Sequence, residues 1–433
     1  MRTVTAPLRI GLAGLGTVGG GVLHLLQDNQ ALIEARAGRR LEVVAVSARD
    51  RTRPRELPLE GLRWAETAEA LADDPEVDVV VELIGGDEGP ARRLVEACLA
   101  KGRPVVTANK ALVATHGATL DGLASQADTT LAYEAAVAGG IPIIKLLREG
   151  LSANAVSRVY GILNGTCNYI LTEMRETGRD FDAVLAEAQE LGYAEADPTF
   201  DIDGIDAAHK LAILASLAFG SPVDFAALSI EGIRHVTAVD IAFATELGYR
   251  VKLLGLAERH GDRLDQRVFP CMVRKQAPIA SVEGVFNAVV AEGNHVGTVM
   301  VEGPGAGAGP TASAVVADLI DLARGNRLAP FGLAEKDLVR LAPMDPELRR
   351  GAYYLRLTVT DQPGVIADVA AILRDQSISM ESMLQRGRAL GETVSVVLTT
   401  HETQAQALER ALTGIAQLDS VIEPPRVLAI AEF

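Results

Sequence analysis

The sequence predicts an α/β protein in three units. The first is a Rossmann-type doubly wound parallel sheet, the second an α+β unit on a separate sheet, and the last a ferredoxin-like unit at the C-terminal end. Three observations carry the prediction. Over roughly residues 1–135, near-continuous apolar runs alternate with helical stretches, as strands buried on both faces require. The run Gly14-Leu15-Gly16-Thr17-Val18-Gly19 stands between one such strand and the helix after it. From Tyr353 onward the pattern restarts in the order strand, helix, strand, strand, helix, strand.

The elements follow in order. Leu8–Ala13 reads as a short buried strand, followed by a glycine turn and a helix from about Val18 to Ala37. Leu41–Ser47 is a second strand and Val77–Ile84 a third; a helix near Pro90–Lys101 and a strand at Pro104–Thr107 follow. In the middle, strand-like pieces at Val156–Leu163, Val268–Val273, Ala288–Glu292 and Thr298–Glu302 alternate with helices such as Asn168–Thr177 and Phe181–Leu191. Gly303–Pro310 interrupts the pattern, Thr311–Arg324 is a helix, and Leu341–Pro346 reads as a linker. The tail gives strand Tyr354–Thr360, helix Val365–Asp375, strands Ile378–Arg386 and Thr393–Thr399, helix Gln404–Leu418 and strand Val427–Ala431.

Bulk properties narrow the function. A chain of 433 residues exceeds one ordinary domain, so two or three are expected. With 4% aromatics, Leu, Val, Ile and Ala must fill the core. A net charge of −16 argues against nucleic acid and anionic membranes as partners. Cys98, Cys167 and Cys271 are too few and too scattered for a disulfide framework or a zinc site, which fits a reducing compartment. Gly14, Gly16 and Gly19 to Gly21 would break a signal helix behind Arg2 and Arg9, and no long uncharged apolar run spans a membrane. The expectation is a soluble, cytoplasmic protein.

Several residue patterns carry chemistry. In the first turn Gly14 permits tight reversal, Gly16 lets backbone approach a pyrophosphate, and Gly19 lets helix and strand pack closely. Thr17 and Val18 open the helix, whose N-terminus favours an anion. An acid at the end of the second strand binds a ribose 2′-hydroxyl, whereas arginine accommodates a 2′-phosphate. Here Arg49 follows, with Arg51 and Arg53, so NADP is favoured, while Asp50 keeps NAD open. Ile84, Gly85 and Gly86 end the third strand, where an open sheet places its crevice. Lys110 ends the next strand and either points into that crevice or is a surface charge.

The stretch from Gly192 to Lys210 crowds acids into a turn and a helix start. Asp206 and Lys210 are four residues apart, so they share a helical face. Tyr133–Pro142 forms a glycine-containing hinge out of the first unit, where the Glu134 carboxylate and nearby carbonyls suit a hard monovalent cation. Gly303–Pro310 reads equally as a flexible linker or a second ligand cradle. Asn164–Asn168 is a turn into a helix; Cys167 has no basic neighbour to lower its pKa and reads as a structural thiol.

Taken together, Gly161–Leu171, Gly192–Pro198 through Lys210, and Gly303–Pro310 with the Thr-Ala-Ser-Ala-Val that follows make the chain resemble bacterial homoserine dehydrogenase with a C-terminal ACT domain, over essentially its whole length. The resemblance implies NAD(P)H-dependent reduction of L-aspartate 4-semialdehyde to L-homoserine, on the route to threonine and methionine. It implies Lys210 as acid–base, Lys110 near both nicotinamide and substrate, and Asp201 and Asp206 around Lys210. Glu195 becomes the substrate-binding acid, in a substrate site with Gly165, Thr166 and Tyr193. Gly305 and Gly307 lie in a loop closing on the cofactor, so Thr311–Arg324 rejoins the first domain.

The implied domains are 1–135 rejoined by about 305–340 for the dinucleotide, 136–304 for catalysis and dimerisation, and 353–431 for the ACT module. Glu134 with the carbonyls of Val137, Gly139 and Ile141 matches a sodium site. L-Threonine is the implied effector, with Asp361–Gly364 at the usual ligand position, and a homodimer or homotetramer the implied assembly. Aspartate-semialdehyde dehydrogenase shares the substrate but needs an activated cysteine with a histidine base, and no histidine is placed for Cys167. A catalytically dead amino-acid sensor is the other alternative. A kinase fusion is not expected, because the chain starts directly at the dinucleotide domain.

Overall fold

The computed structural model describes residues 6–385 and 392–433. Its first unit runs β1 (Leu8–Ala13), α1 (Thr17–Asp28), α2 (Gln30–Ala37), β2 (Leu41–Ser47), β3 (Arg63–Trp64), β4 (Val79–Glu82), α3 (Pro90–Ala100), β5 (Val105–Thr107), α4 (Lys110–Gln126) and β6 (Leu131–Ala132). All six strands are parallel, in the order β3-β2-β1-β4-β5-β6. Ile10, Leu12, Val79 and Val81 are fully buried, as strands covered on both faces must be.

The middle unit follows with α5 (Ile143–Lys145), β7 (Val156–Ile162), α6 (Gly165–Thr177), α7 (Phe181–Glu190), α8 (Thr199–Ile202) and α9 (Ile205–Phe219). It continues with β8 (Ser229–Ile230), α10 (Ala238–Glu246), β9 (Tyr249–His260), β10 (Arg263–Arg274), β11 (Phe286–Gly293), β12 (Gly297–Pro304) and α11 (Ala308–Arg324). The tail comprises β13 (Ala342–Pro343), β14 (Arg350–Thr360), α12 (Val365–Asp375), β15 (Met380–Gln385), β16 (Thr393–Thr400), β17 (Thr403–Gln404), α13 (Ala405–Ile415) and β18 (Arg426–Ala431). Arg386, expected at the end of the second tail strand, lies outside the described residues.

Helix α11 packs back on the first unit: Val315, Val316 and Leu319 share one core cluster with Ile10 and Leu12. A methyl group at Gly21 of α1 would come 2.5 Å from the Ala308 carbonyl, so the two helices meet at their starts.

The second sheet runs β12-β11-β7-β9-β10-β18-β14-β16-β15. Its tail strands have the ferredoxin-like order, with β14 central and β18 at its side. The tail is not a separate sheet: β18 also pairs in parallel with β10, through Cys271 with Ala429 and Val273 with Ala431. A buried ion pair reinforces the join, Arg356 Nε meeting Asp240 Oδ1 at 2.6 Å while the Tyr354 hydroxyl donates to the same oxygen at 3.0 Å.

Several expectations are corrected. The helix expected over Val18–Ala37 breaks at Asn29, which leaves the helical backbone conformation at φ −107° and ψ 20° and so closes α1 and starts α2. The strand expected over Val77–Ile84 ends at Glu82, whose carboxylate draws the Ile84 and Gly85 N–H groups into a turn. Expected linker Leu341–Pro346 contains β13, paired with β10. Strands β3, β6, β8, β9 and β17 were missed. β9 pairs with β10 along twelve residues through a two-residue turn at Gly261-Asp262, with Gly261 at φ 65°, a signal the leucine-rich run conceals.

Asp121 of α4 is fully buried, and neither carboxylate oxygen has a hydrogen-bond partner among the described residues. Burial and the charge of Glu335 push its carboxyl up to about 6 from 3.8. A raised acid pKa penalises the folded state where the group is ionised, so the penalty is full above pH 6 and gone below the unfolded value. Asp121→Asn is expected to raise the thermal midpoint near pH 8, the ionisation term amounting to at most about 3 kcal/mol. The gain should shrink towards about pH 4. A gain that grows on acidification would contradict this account.

Candidate active site

Two glycine turns bring helix starts together. Gly16 and Gly307 are the N-caps of α1 and α11, and neither helix start carries a side-chain cap. Their first-turn N–H groups therefore remain for an anion. Gly14, at φ 108°, lies so close to β4 that a methyl there would meet the Leu83 carbonyl at 2.5 Å, and one at Gly19 would strike the Gly14 carbonyl. At Gly16 a methyl meets nothing within 4 Å, so this edge is open to a ligand. Thr17 and Val18 form the first turn of α1.

The strand ends build the neighbouring wall. Buried Glu82 accepts from Ile84 N at 2.7 Å and Gly85 N at 3.1 Å on one oxygen, and from the Thr107 hydroxyl at 2.5 Å on the other. Asn109 caps α4 by accepting from Leu112 N at 3.1 Å and donates to the Gly86 carbonyl at 2.6 Å. That cap sets the direction of Lys110, the first residue of α4. Arg49 lies exposed beyond β2. Asp50 Oδ1 is engaged by Thr52 N, the Thr52 hydroxyl and Arg53 N, and these hydrogen bonds hold its carboxyl below the usual range. Arg55 donates from Nε to the Leu15 carbonyl and from Nη2 to the Asp50 carbonyl, joining this loop to the glycine turn.

Lys110, Asp206 and Lys210 meet at one point. Asp206 Oδ1 lies 3.1 Å from Lys110 Nζ and Oδ2 lies 2.7 Å from Lys210 Nζ. Lys210 also donates to the Leu163 carbonyl at 2.7 Å. Asp206 and Lys210 are both buried. Burial alone would raise the Asp206 pKa, but the charges of Lys210 and Lys110 prevail and hold it well below the usual carboxylate range. Asn164 donates from one nitrogen to Asp201 Oδ1 and Asp206 Oδ2, both at 2.8 Å, while its oxygen caps α6 at Cys167 N. Burial and the charge of Asp206 raise the Asp201 pKa. Asn287 reaches the same Leu163 carbonyl at 3.0 Å, and a methyl at Gly305 would stand 2.2 Å from the Asn287 side chain. The loop before α11 thus rests on the group that holds Lys210.

The remaining candidates surround this point. Thr166, next to Gly165 at the start of α6, donates its hydroxyl to the Tyr193 carbonyl at 2.7 Å. Tyr193 is exposed, its ring 4.9 Å from that of Tyr169. Glu195 is exposed, and its carbonyl accepts from Gln189. Phe200 lies under Lys110, 5.7 Å from Nζ to the ring centre. Buried Cys167 donates from Sγ to the Asp201 carbonyl at 3.2 Å, and burial pushes its pKa well up. That is the opposite of an activated nucleophile.

Glu134, Val137, Gly139 and Ile141 lie in the segment crossing between units. Glu134 accepts from Ile144 N and Lys145 N at 2.9 and 2.8 Å, and Ile141 gives its carbonyl to Ile143 N at 2.8 Å. Sequence reasoning missed Glu82, Asn109, Asn287 and Arg55, and read Asn164 only as part of a turn. An asparagine three residues before the N–H it accepts from is the signal that marks Asn109 and Asn164 as caps.

Comparison with known proteins supplies the deciding observation. Residues 142–320 match the family model described as homoserine dehydrogenase, and residues 14–134 match that of its NAD-binding domain. The chain belongs to the homoserine dehydrogenase family. It is therefore an oxidoreductase acting on a CH–OH group. Residues 353–417 match the ACT domain.

The homoserine dehydrogenase of Pseudomonas aeruginosa is 46% identical over 428 residues, covering 96% of this chain and 97% of that protein. That of Neisseria gonorrhoeae is 44% identical over 426 residues, with coverage of 96% and 97%. Among solved structures, the Thiobacillus denitrificans homoserine dehydrogenase aligns with a TM-score of 0.92 at 46% identity, over 99% of both chains. A hyperthermophilic archaeal homoserine dehydrogenase in complex with NADPH aligns with a TM-score of 0.62 at 28% identity, over 73% of this chain and 97% of that one.

Loss of Asn164 tests whether this geometry matters to the dehydrogenase. Asn164→Ala removes a helix cap, costing about 1–2 kcal/mol of stability, and releases Asp201 and Asp206. Chemical denaturation should show that loss, and initial rates should show a lower kcat. An unchanged kcat would detach this asparagine from catalysis.

Proposed function

We propose that the enzyme reduces L-aspartate 4-semialdehyde to L-homoserine where Lys110, Asp206 and Lys210 meet, on the route to threonine and methionine. The observation that carries this reading is the single buried carboxylate shared by two lysines, Lys110 following β5 of the first unit and Lys210 on α9 of the middle unit. A nicotinamide cofactor supplies the hydride when bound. As the aldehyde carbon is reduced, negative charge builds on its oxygen, and a cation that can also give a proton stabilises it. An ammonium has three donors. On Lys210 two are held by Leu163 and Asp206, leaving one for that oxygen. Lys110, anchored by Asp206, lies between cofactor and substrate. Glu195 pairs with the substrate ammonium, while Asp201, Gly165, Thr166 and Tyr193 complete the pocket.

The open edge at Gly16 and the uncapped helix starts fit a dinucleotide pyrophosphate, held by Gly14, Gly16, Thr17, Val18 and Gly19, with Ile84, Gly85, Gly305 and Gly307 closing around it. NADP is the proposed partner. Asp50 is engaged within its own loop, while Arg49 stands exposed for a 2′-phosphate. Sodium at Glu134, with carbonyls of Val137, Gly139 and Ile141, is proposed on charge grounds. Burial first, and then the charge of Asp318, push Glu134 up to about 7 against the opposing charge of Lys145; a bound cation would favour its ionised form.

The tail is proposed to bind L-threonine as feedback effector, and the chain to form a homodimer or homotetramer through the middle and tail units. Domains are proposed at 1–135 with 305–340, 136–304 and 353–431. A cytoplasmic location is proposed from the three free, buried cysteines, which fit a reducing compartment; among the described residues no helix is long and apolar enough to cross a membrane.

Nicotinamide absorbance with L-aspartate 4-semialdehyde tests the reading. Lys210→Ala should lower kcat by a factor on the order of 10² to 10⁴. Arg49→Ala should raise KM for NADPH and leave that for NADH. Turnover surviving in Lys210→Ala would remove the lysine from its role. Equal KM changes for both cofactors would remove Arg49 from NADP selection.

A further inference from the structure

A cavity of about 470 Å³ lies where the tail meets the middle sheet, and none of the Lys110–Asp206–Lys210 cluster lines it. Both units build it: Ile230 of β8, Arg267 and Val268 of β10, Arg349 and Tyr353 of the tail, and Glu409 of α13. Its size suits a small molecule with ordered water.

The two arginines are not equivalent. Arg349 is engaged, meeting Asp265 Oδ1 at 2.8 Å and the Ser229 hydroxyl at 3.0 Å. The Arg267 guanidinium lies 4.2 Å over the Phe269 ring, a stack that fixes its plane. Its Nε is buried in an ion pair with Asp265, 3.4 Å from Oδ2, so the donors left for a ligand are its Nη groups, which make no hydrogen bond among the described residues. A half-buried guanidinium with donors to spare is a carboxylate receptor. Glu347 and Glu409 line the same cavity, and Glu347 accepts from Gln406 at 2.6 Å. One ligand carrying both a carboxylate and an ammonium satisfies both sets.

The cavity wall also supports the helix that carries the catalytic lysine. Gly204 is the N-cap of α9, in the left-handed region at φ 83°. A methyl on it would stand 3.0 Å from Val268 Cγ1 and 3.3 Å from Ile230 Cγ2. Two residues later comes Asp206. A ligand that shifts Ile230 or Val268 therefore acts on the start of α9.

We propose that this cavity, rather than the Asp361–Gly364 loop, is the amino-acid effector site, with the ligand carboxylate on Arg267 and its ammonium on the Glu347–Glu409 side. The proposal rests on the reading of the tail as a regulatory module. Calorimetric titration of the full-length enzyme with L-threonine and L-methionine, alongside initial rates, tests it. At least one should bind wild type, and Arg267→Gln and Glu409→Gln should each weaken that binding on the order of tenfold. Arg267→Lys should recover part of it, Asp361→Ala should bind as wild type, and effector-free kcat should be unchanged in Arg267→Gln. Glu409 is exposed, so its variant decides if Arg267→Gln fails to fold. Binding lost in Asp361→Ala but kept in both cavity variants overturns the cavity and leaves the regulatory reading intact. No binding to wild type overturns both. Ile230→Ala should bind normally yet lose the effect on rate; inhibition surviving there would overturn the route through Gly204.

Discussion

One buried carboxylate holds two chain segments in register. Lys110 belongs to a helix that follows the fifth strand of the first sheet, and Lys210 to a helix packed under the second. Both reach Asp206. Two ammonium groups cannot be brought this close in a buried place without an anion between them, because desolvation exceeds what either gains alone. The surroundings follow from that requirement. Asn164 spends both hydrogens of one amide on Asp201 and Asp206, the Leu163 carbonyl accepts a hydrogen bond from Lys210, and Asn287 donates to the same carbonyl. Such a cluster contributes little net stability compared with apolar packing, which accords with the proposed chemical role rather than an architectural one.

The same logic of shared groups seats the tail. Asp240 serves Arg356, Tyr354 and Thr237 at once, and β18 serves two strands from opposite sides. The ACT unit is thereby welded to the catalytic sheet by main-chain hydrogen bonds. The tail thus shares backbone pairing with β10, and β10 lies against the start of α9 through Val268 and Gly204.

Legibility in the sequence followed locality. The first strand and the helix Val365–Asp375 have the bounds read from the sequence, because strong apolar patterns end at glycines or polar residues there. The glycine turn and the Asp206–Lys210 pair were legible because both are contained within a few residues. Asn287 was not: its partner Leu163 is 124 residues away, and nothing near Asn287 announces the carbonyl it braces. Glu82 was hidden for the same reason, since it reads as a strand residue and acts by folding the following turn onto itself. β9 was missed because Leu, Lys, Ala and Glu favour helices, and pairing with β10 on one side and β7 on the other overrides that preference.

The placement of β18 has a consequence for biosynthesis. Domains fold as the chain emerges, N-terminal parts first. Strand β10 leaves the ribosome long before residues 426–431, and until they arrive one of its flanks has open N–H and C=O groups next to apolar Cys271, Met272 and Val273. An unpaired edge of this kind is a template for the wrong strand from another nascent chain. Strand β18 is thus the seal on this flank of β10, and the window for misassembly stays open until residues 426–431 have been made.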